Sequence, residues 1–531
     1  MKTLPLVTII EVQATAPSLH DNTADLDRLK NGVRALLSRP LSERNLCIPY
    51  KCMGRVAAAF RAGGFRGYAV LSILPWQLDI IDFLPEKTDY LPALALDLGT
   101  THLEATLVDL LTGKTLAHGH IVNRQIEFGT DILSRIHFAE RGGDGSGLEL
   151  LQRAIVESIN ELAGELVSQV DIPVQEVYAL AVSGNTTMVH LLLGINPYHI
   201  CREPYIPLVN DPDPVLSSEI GLELHPQALA WVLPSIGSYF GGDLISGILA
   251  SGLDQAEHTS MLIDVGTNAE VVLGNREWLI ACAGAAGPAL EGGVAKMGMR
   301  AGAGAVEHVK IDHDSWQLKV QTIDNVPAVG ICGSGLIDLV AELYLARIVD
   351  LRGKFQDEFT GQSPEQRAFV REHLVDLDGE KAFIVIPLEE SGTDAPVLLT
   401  QIDLDAMMRS KAAMYAILTT LTGQVGVEFG ELERIYVAGA FGRHIDPRQA
   451  ITLGMLPDLE LETYKGIGNS SLHGAEQILF DEEARLRARD IGQKITYIEL
   501  NVNQDFMIRF SGSRFIPHTD PKVFPSVPVF S

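Results

Sequence analysis

Apolar residues in this chain fall in short runs interrupted by Gly, Asp or Pro, the pattern of buried strands separated by turns. Residues 6–12 read as an extended start. A helix is predicted over 25–37, with Leu26, Leu29, Val33 and Leu36 along one face. Alternating segments at 68–73 and 78–83 predict two strands, and the charged stretch 85–90 reads as a linker. Residues 1–90 thus make a small α/β unit.

The next apolar strand, from Ala93, ends in Asp97-Leu98-Gly99-Thr100-Thr101 and leads to strands at 103–108 and 115–122 around a Thr112-Gly113 turn. The pattern returns. A strand from Met261 ends in Asp264-Val265-Gly266-Thr267-Asn268, followed by a strand at 269–273, a Gly274-Asn275 turn and a strand at 278–283. Two such units in register mark an internal duplication. In each, the glycine lets the chain turn sharply and brings backbone N–H groups close to a phosphate. The hydroxyls add donors, and the aspartate can orient a hydrated Mg²⁺ or an attacking water. One turn alone would be an ordinary hairpin; the pair points to a nucleotide.

Further glycine-rich segments follow buried strands. Ser183-Gly184-Asn185-Thr186-Thr187 precedes a predicted helix at 188–193, and Gly333-Ser334-Gly335 precedes one at 336–345 whose first amides can face an anion. Val437-Ala438-Gly439-Ala440-Phe441-Gly442 ends another strand. Small residues there let a flat adenine lie against backbone, and close strand–helix packing explains them equally well.

At 531 residues the chain is long enough for about three domains. No apolar run is long enough to span a bilayer, and residues 1–14 lack the pattern of a secretion signal. A net charge of −27 argues against a nucleic-acid partner. The five cysteines suggest a reducing compartment, so a cytoplasmic location is expected. Cys47 and Cys52 have a spacing found within plant-type ferredoxin sites, but such sites need four thiolates. Small buried thiols are the simpler expectation for all five.

The order of these segments resembles the acetate and sugar kinase, actin and chaperone ATPase superfamily: first phosphate loop (97–101), first connecting helix (183–193), second phosphate loop (264–268), adenosine segment (437–442) and second connecting helix (468–478). Within it the chain is similar to the reductive activators of corrinoid-dependent proteins. The strings that carry this include Pro17-Ser18-Leu19-His20-Asp21, Phe128-Gly129-Thr130-Asp131, Ala286-Gly287-Pro288-Ala289, Gln401-x-Asp403, Lys411-Ala412-Ala413 and Gly442-Arg443-His444-Ile445-Asp446. The resemblance implies a two-lobed α/β fold of the actin-like ATPase and sugar-kinase type (ASKHA, duplicated ribonuclease-H-like). Its lobes would be residues 91–258 and 259–531, the second with insertions, and residues 1–90 would correspond to the family's middle domain.

It also implies ATP and Mg²⁺ in a cleft between the lobes. Asp97 and Asp264 would bind the metal through water. Gly99, Thr100, Thr101, Gly266, Thr267, Asn268, Gly333, Ser334, Gly335, Gly439, Ala440 and Phe441 would contact the nucleotide. Asp243 is a candidate for orienting or deprotonating a nucleophile, with a helix N-cap as the rival reading. Lys411 meets a phosphate or lies on a helix surface. Glu291 binds metal-bound water or holds a loop. His444 reads as a hydrogen-bonding residue rather than an acid–base catalyst.

The implied activity is ATP-driven reduction of Co(II) to Co(I) in a corrinoid protein or corrinoid methyltransferase. Family members carry an N-terminal ferredoxin domain. By the resemblance this chain begins after that domain and its linker, so no iron–sulfur cluster is expected in it. Electrons would come from a separate protein, such as a ferredoxin, unless the chain is a piece or the redox role has been lost. A homodimer is implied. A small-molecule kinase, with Asp243 as base, and a non-catalytic ATP-dependent interaction module are the competing readings.

Overall fold

The computed structural model describes residues 4–141, 145–238, 240–266, 269–284, 295–500 and 503–530, apart from the side chains of Ala440, Phe441 and Arg443. It divides into two compact units, Met1–Ala250 with Ser471–Gln493, and Ser251–Ser470 with Lys494–Ser531.

Unit 1 begins with β1 (Val7–Gln13), α1 (Asp25–Leu36), β2 (Asn45–Cys47), α2 (Tyr50–Ala62), β3 (Arg66–Ile73) and β4 (Gln77–Leu84). The sheet order is β1-β3-β4-β2. Val12, Leu29, Val33, Val56 and Phe83 are buried around Phe60, whose ring meets Phe65 and Phe83 edge-on at 5.2 and 5.1 Å. The face expected on α1 is corrected at its end. Leu36 is 55% exposed, while Arg28 is buried and reaches Asp21 at 2.6 Å.

There follow β5 (Pro92–Leu98), β6 (His102–Asp109), β7 (Thr115–Val122), α3 (Ile132–Ala139), α4 (Ser146–Ser168), β8 (Ala179–Gly184), α5 (Thr186–Leu192), β9 (Val215–Leu216), β10 (Leu229–Val232) and α6 (Gly242–Ser251). They form a six-stranded sheet of order β7-β6-β5-β8-β10-β9. β5, β6 and β7 make an antiparallel meander, and β8 runs parallel to both β5 and β10. α4 buries Leu151, Ile155, Ile159, Leu162 and Leu166, a three-to-four-residue spacing that keeps one face on the core.

Unit 2 repeats the arrangement. Its strands are β11 (Ser260–Val265), β12 (Ala269–Gly274), β13 (Leu279–Gly284), β14 (Ala305–Asp312), β15 (Gln317–Thr322) and β16 (Gly330–Ile331), then α7 (Gly333–Leu345) and α8 (Pro364–His373). Next come β17 (Leu374–Leu377), β18 (Glu380–Ile386), β19 (Val397–Thr400), α9 (Gln401–Val425), β20 (Ile435–Ala438), α10 (Gly439–His444), α11 (Pro447–Leu453) and β21 (Tyr464–Gly468). The chain closes with α12 (Ser470–Phe480), α13 (Glu482–Lys494), β22 (Ile495–Tyr497) and α14 (Gln504–Gly512). The main sheet has the order β21-β20-β11-β12-β13-β22, so β11-β12-β13 matches β5-β6-β7 and the parallel β20 matches β8. α9 is buried along most of its 25 residues. Thr400 and Asp403 form a capping box at its start, and Gly426, at φ 66°, closes it.

The boundary at 258/259 did not foresee that α12 and α13 belong with unit 1. Within that unit, Leu6 N–H donates to Leu479 O (2.7 Å), Arg485 donates to Leu4 O (3.0 Å), and Arg44 pairs with Glu482 at 2.7 Å. These helices therefore bind the N-terminal domain directly.

Candidate functional site

The first turn is fixed by its own carbonyls. At Gly99 a Cβ would lie 2.2 Å from His102 O, so no other residue closes this turn unchanged. Gly99 O accepts from Asn123 Nδ2 (3.0 Å), Thr100 O from Arg135 Nη2 (2.6 Å) and Thr101 O from Asn123 N–H (2.8 Å). In a trans peptide the C=O and the following N–H point opposite ways. Holding these carbonyls therefore sets the direction of the amides at Thr100, Thr101 and His102. Asn185 Nδ2 donates to Thr100 Oγ1 at 3.2 Å. Arg135 is fully buried and also bonds Gly129 O and Gln125 Oε1; burial lowers its pKa to about 10.

Asp97, near the end of β5, lies opposite Ser183 on β8. It accepts from Ser471 Oγ at 2.8 Å. Ser471 Oγ is 2.8 Å from Ser183 Oγ, which accepts from Ser246 Oγ at 2.8 Å. Asp243 lies in the first turn of α6, and its Oδ1 accepts from Leu244 N–H at 2.9 Å. Burial pushes this carboxyl above the usual carboxylate range. A Cβ on Gly241 would stand 2.3 Å from Asn185 Cα and 2.7 Å from Asp243 Oδ1. Contact at that glycine brings the Asp243 segment against Asn185, which itself bonds Thr100. Asp97, Thr100 and Asp243 are thus linked within unit 1 through Asn185 and Ser183. Gly474 brings α12 close to α6, a would-be Cβ there standing 2.4 Å from Ser246 Cα.

In unit 2, Asp264 pairs in register with Ala438 on β20. Gly439 has φ +77°, and a Cβ there would lie 3.1 Å from Asp264 Oδ1 and 3.0 Å from Val265 O. The adenosine-type segment therefore starts against the second aspartate. Thr267, Asn268 and Glu291 lie outside the described residues, as do the side chains of Ala440 and Phe441. At Gly335 a Cβ would meet Val306 O at 2.1 Å, so this glycine lets α7 pack on β14. Ser334 Oγ lies 3.3 Å from Cys332 Sγ. His444 Nδ1 is 3.6 Å from Glu307, and Asp446 caps α11 by accepting from Arg448 N–H.

Lys411 requires a correction. It is fully buried in α9, neither on a helix surface nor presented to a phosphate. Its ammonium donates to Phe515 O (2.6 Å), Pro517 O (2.7 Å) and Gly454 O (3.4 Å), which engages all three of its donors. Burial drives its pKa well down. The cysteines are free thiols; Cys52, Cys282 and Cys332 are buried and Cys47 and Cys201 partly exposed. Sequence reasoning did not assign roles to Asn123, Arg135, Asn185 or Ser471. Their signal was weak, because each is an ordinary polar residue whose partners lie far away in the sequence.

Three family models match this chain in order: the RACo linker region over residues 1–89, the RACo middle region over 92–256, and the C-terminal domain of RACo, the ASKHA domain, over 258–528. The small N-terminal domain is thus the linker region, not the middle domain, and the chain does not start beyond that linker. The chain is 31% identical over 443 residues to the corrinoid activation enzyme RamQ of Eubacterium limosum, covering 83% of this chain and 73% of that protein. It is 25% identical over 417 residues to a [Co(II) methylated amine-specific corrinoid protein] reductase of Methanosarcina barkeri, covering 76% and 72%. A solved structure of a reductive activator for corrinoid, iron–sulfur protein superposes with a TM-score of 0.88 at 36% identity, covering 99% of this chain and 81% of that one. With the duplicated ASKHA architecture and all three regions in sequence, the chain belongs to the RACo family of corrinoid activators.

Proposed function

We propose that this chain hydrolyses ATP to drive reduction of a corrinoid protein's cobalt from Co(II) to the methyl-accepting Co(I) state. The observation that carries the reading is the pair of Asp-x-Gly-Thr turns on equivalent strands, β5 and β11. Each aspartate stands in register with the parallel strand of its own sheet. The names of the relatives supply the substrate class.

The residues fit a Mg²⁺-nucleotide. Carboxylate oxygens suit this cation, which keeps several waters and takes phosphate oxygens rather than an all-protein cage. Among the described residues no group of three or more His, Cys, Asp or Glu gathers into such a cage. Asp97 and Asp264 would hold the hydrated metal, which neutralises charge on the phosphates. Gly99, Thr100, Thr101 and Gly266 would offer amides and hydroxyls to phosphate, and Thr267 and Asn268 are assigned the same role from the sequence alone. Gly333 and Ser334 at the start of α7 and the 439–441 segment would meet the nucleoside, while Gly335 serves the packing of α7 on β14. Asp243, its carboxyl pKa raised by burial, orients the attacking water. Lys411 holds the C-terminal segment and takes no part.

The electron comes from a separate donor such as a ferredoxin, and ATP supplies work by favouring one state of the bound partner over another. A cytoplasmic homodimer completes the reading; no helix among the described residues is long and apolar enough to cross a membrane.

The test is to mix the chain with ATP, Mg²⁺, a reductant and a corrinoid protein, following phosphate release and the Co(I) absorbance. Partner-stimulated turnover with Co(I) formation is expected, and Asp264→Asn should abolish turnover without changing the fold. A phosphorylated small molecule would make the chain a kinase, and binding without turnover an interaction module.

A further inference from the structure

Behind Asp97 stand three serines that the reaction above does not use. Ser183 on β8, Ser246 on α6 and Ser471 on α12 come from distant parts of the sequence. They meet in one row, Ser246 to Ser183 to Ser471 to Asp97, each step 2.8 Å. Ser183 and Ser246 are 0% exposed and Ser471 is 7% exposed.

The direction of the row follows from valence. Each hydroxyl has one proton, and an ionised carboxylate only accepts. Ser471 therefore gives its proton to Asp97, Ser183 must give its own to Ser471, and Ser246 gives its own to Ser183. All three dipoles point at the carboxylate. Successive hydrogen bonds in a buried chain polarise one another, and a bond to an ionised acceptor is about twice as strong as a neutral one. The duplication supplies an internal comparison. In unit 2 the residue opposite Asp264 is Ala438, so the strand residue corresponding to Ser183 has no hydroxyl.

We propose that Ser246, Ser183 and Ser471 form a positioning relay that fixes the orientation of the Asp97 carboxylate for the hydrated metal. None of the three touches nucleotide; they act through Asp97. The inference rests on the reading of Asp97 as a metal-binding carboxylate.

The test uses Ser471→Ala, Ser183→Ala and Ser246→Ala in the full chain. It measures kcat, KM for ATP, Mn²⁺ affinity in the presence of ADP by electron paramagnetic resonance, and the melting temperature. Loss of a hydrogen bond to a supported ligand costs on the order of 10–100-fold. We expect kcat to fall by about 30-fold for Ser471→Ala, by about 5-fold for Ser183→Ala and by about 2-fold for Ser246→Ala, with KM for ATP within about 2-fold. Mn²⁺ affinity should fall in the same order, and Ser471→Thr should restore most of both. A packing role gives the opposite ranking, with the two wholly buried serines costing most in melting temperature and kcat unchanged, and that result overturns the relay. Should Ser471→Ala fail to fold, Ser183→Ala decides: lower kcat at unchanged KM supports the relay, and unchanged kcat overturns it. Asp97→Asn separates the two claims. Wild-type turnover in that variant sinks the site itself, whereas lost turnover beside unaffected serine variants sinks only the relay.

Discussion

Two residues show how local geometry restricts chemistry. Gly439 combines a positive φ with a carboxylate oxygen 3.1 Å from where a Cβ would stand, so Gly439→Ala meets backbone strain and Asp264 together. Strain of this kind costs about 1–3 kcal/mol. ATP affinity measured by calorimetry should therefore fall about 10-fold or more, with the chain still folded. Asp338, inside α7, makes a different point. Burial raises its pKa from 3.8 to about 6, although His308 Nδ1 lies 3.0 Å from its Oδ2. The folded state then binds more protons than the unfolded state between pH 3.8 and about 6, so stability falls as pH rises through that window. As pH rises across this range the wild type should lose melting temperature relative to Asp338→Asn, the difference between the two curves reporting this carboxyl.

At the scale of elements, much was legible in the sequence because strand ends carry strong punctuation. The strand at 115–122 matches the observed β7 residue for residue, and the twin Asp-x-Gly-Thr turns fall at the ends of β5 and β11. α9 was not legible by periodicity. It is buried on nearly all sides, and a helix without a polar face leaves no amphipathic signature; only its capping residues betray it. Lys411 was misread for the same reason, since a lysine inside such a helix looks like a surface residue until its carbonyl partners are seen. The loop-fastening side chains Asn123, Arg135 and Asn185 depend on long-range contacts that no local pattern reports. One contact between elements is directly testable. With a would-be Cβ 2.4 Å from Ser246 Cα, Gly474→Ala must separate α12 from α6. Overpacking of this kind costs about 1–3 kcal/mol. The variant should melt lower than wild type in calorimetry and lose ATPase activity along with its Ser471–Asp97 contact.

At the scale of the molecule, the same meander with parallel neighbours occurs twice, and the family's linker, middle and C-terminal regions follow one another along the chain. The compact units do not respect that linear order. Unit 1 is completed by residues 471–493, whose helices hold Leu4, Leu6 and Arg44 of the N-terminal domain and set Arg485 and Arg489 over the Trp231 ring. This return has a consequence for how the protein is made. Ribosomes add about 5–20 residues per second, and some 220 residues separate Ala250 from Ser471. The first-synthesised unit therefore waits on the order of 10–40 s for its last two helices, with their docking surface exposed to solvent. Residues 1–258 expressed alone should aggregate, and a peptide spanning 470–494 added during refolding should recover soluble material. The nascent chain is thus a natural client for a chaperone that shields an apolar surface until translation is nearly finished.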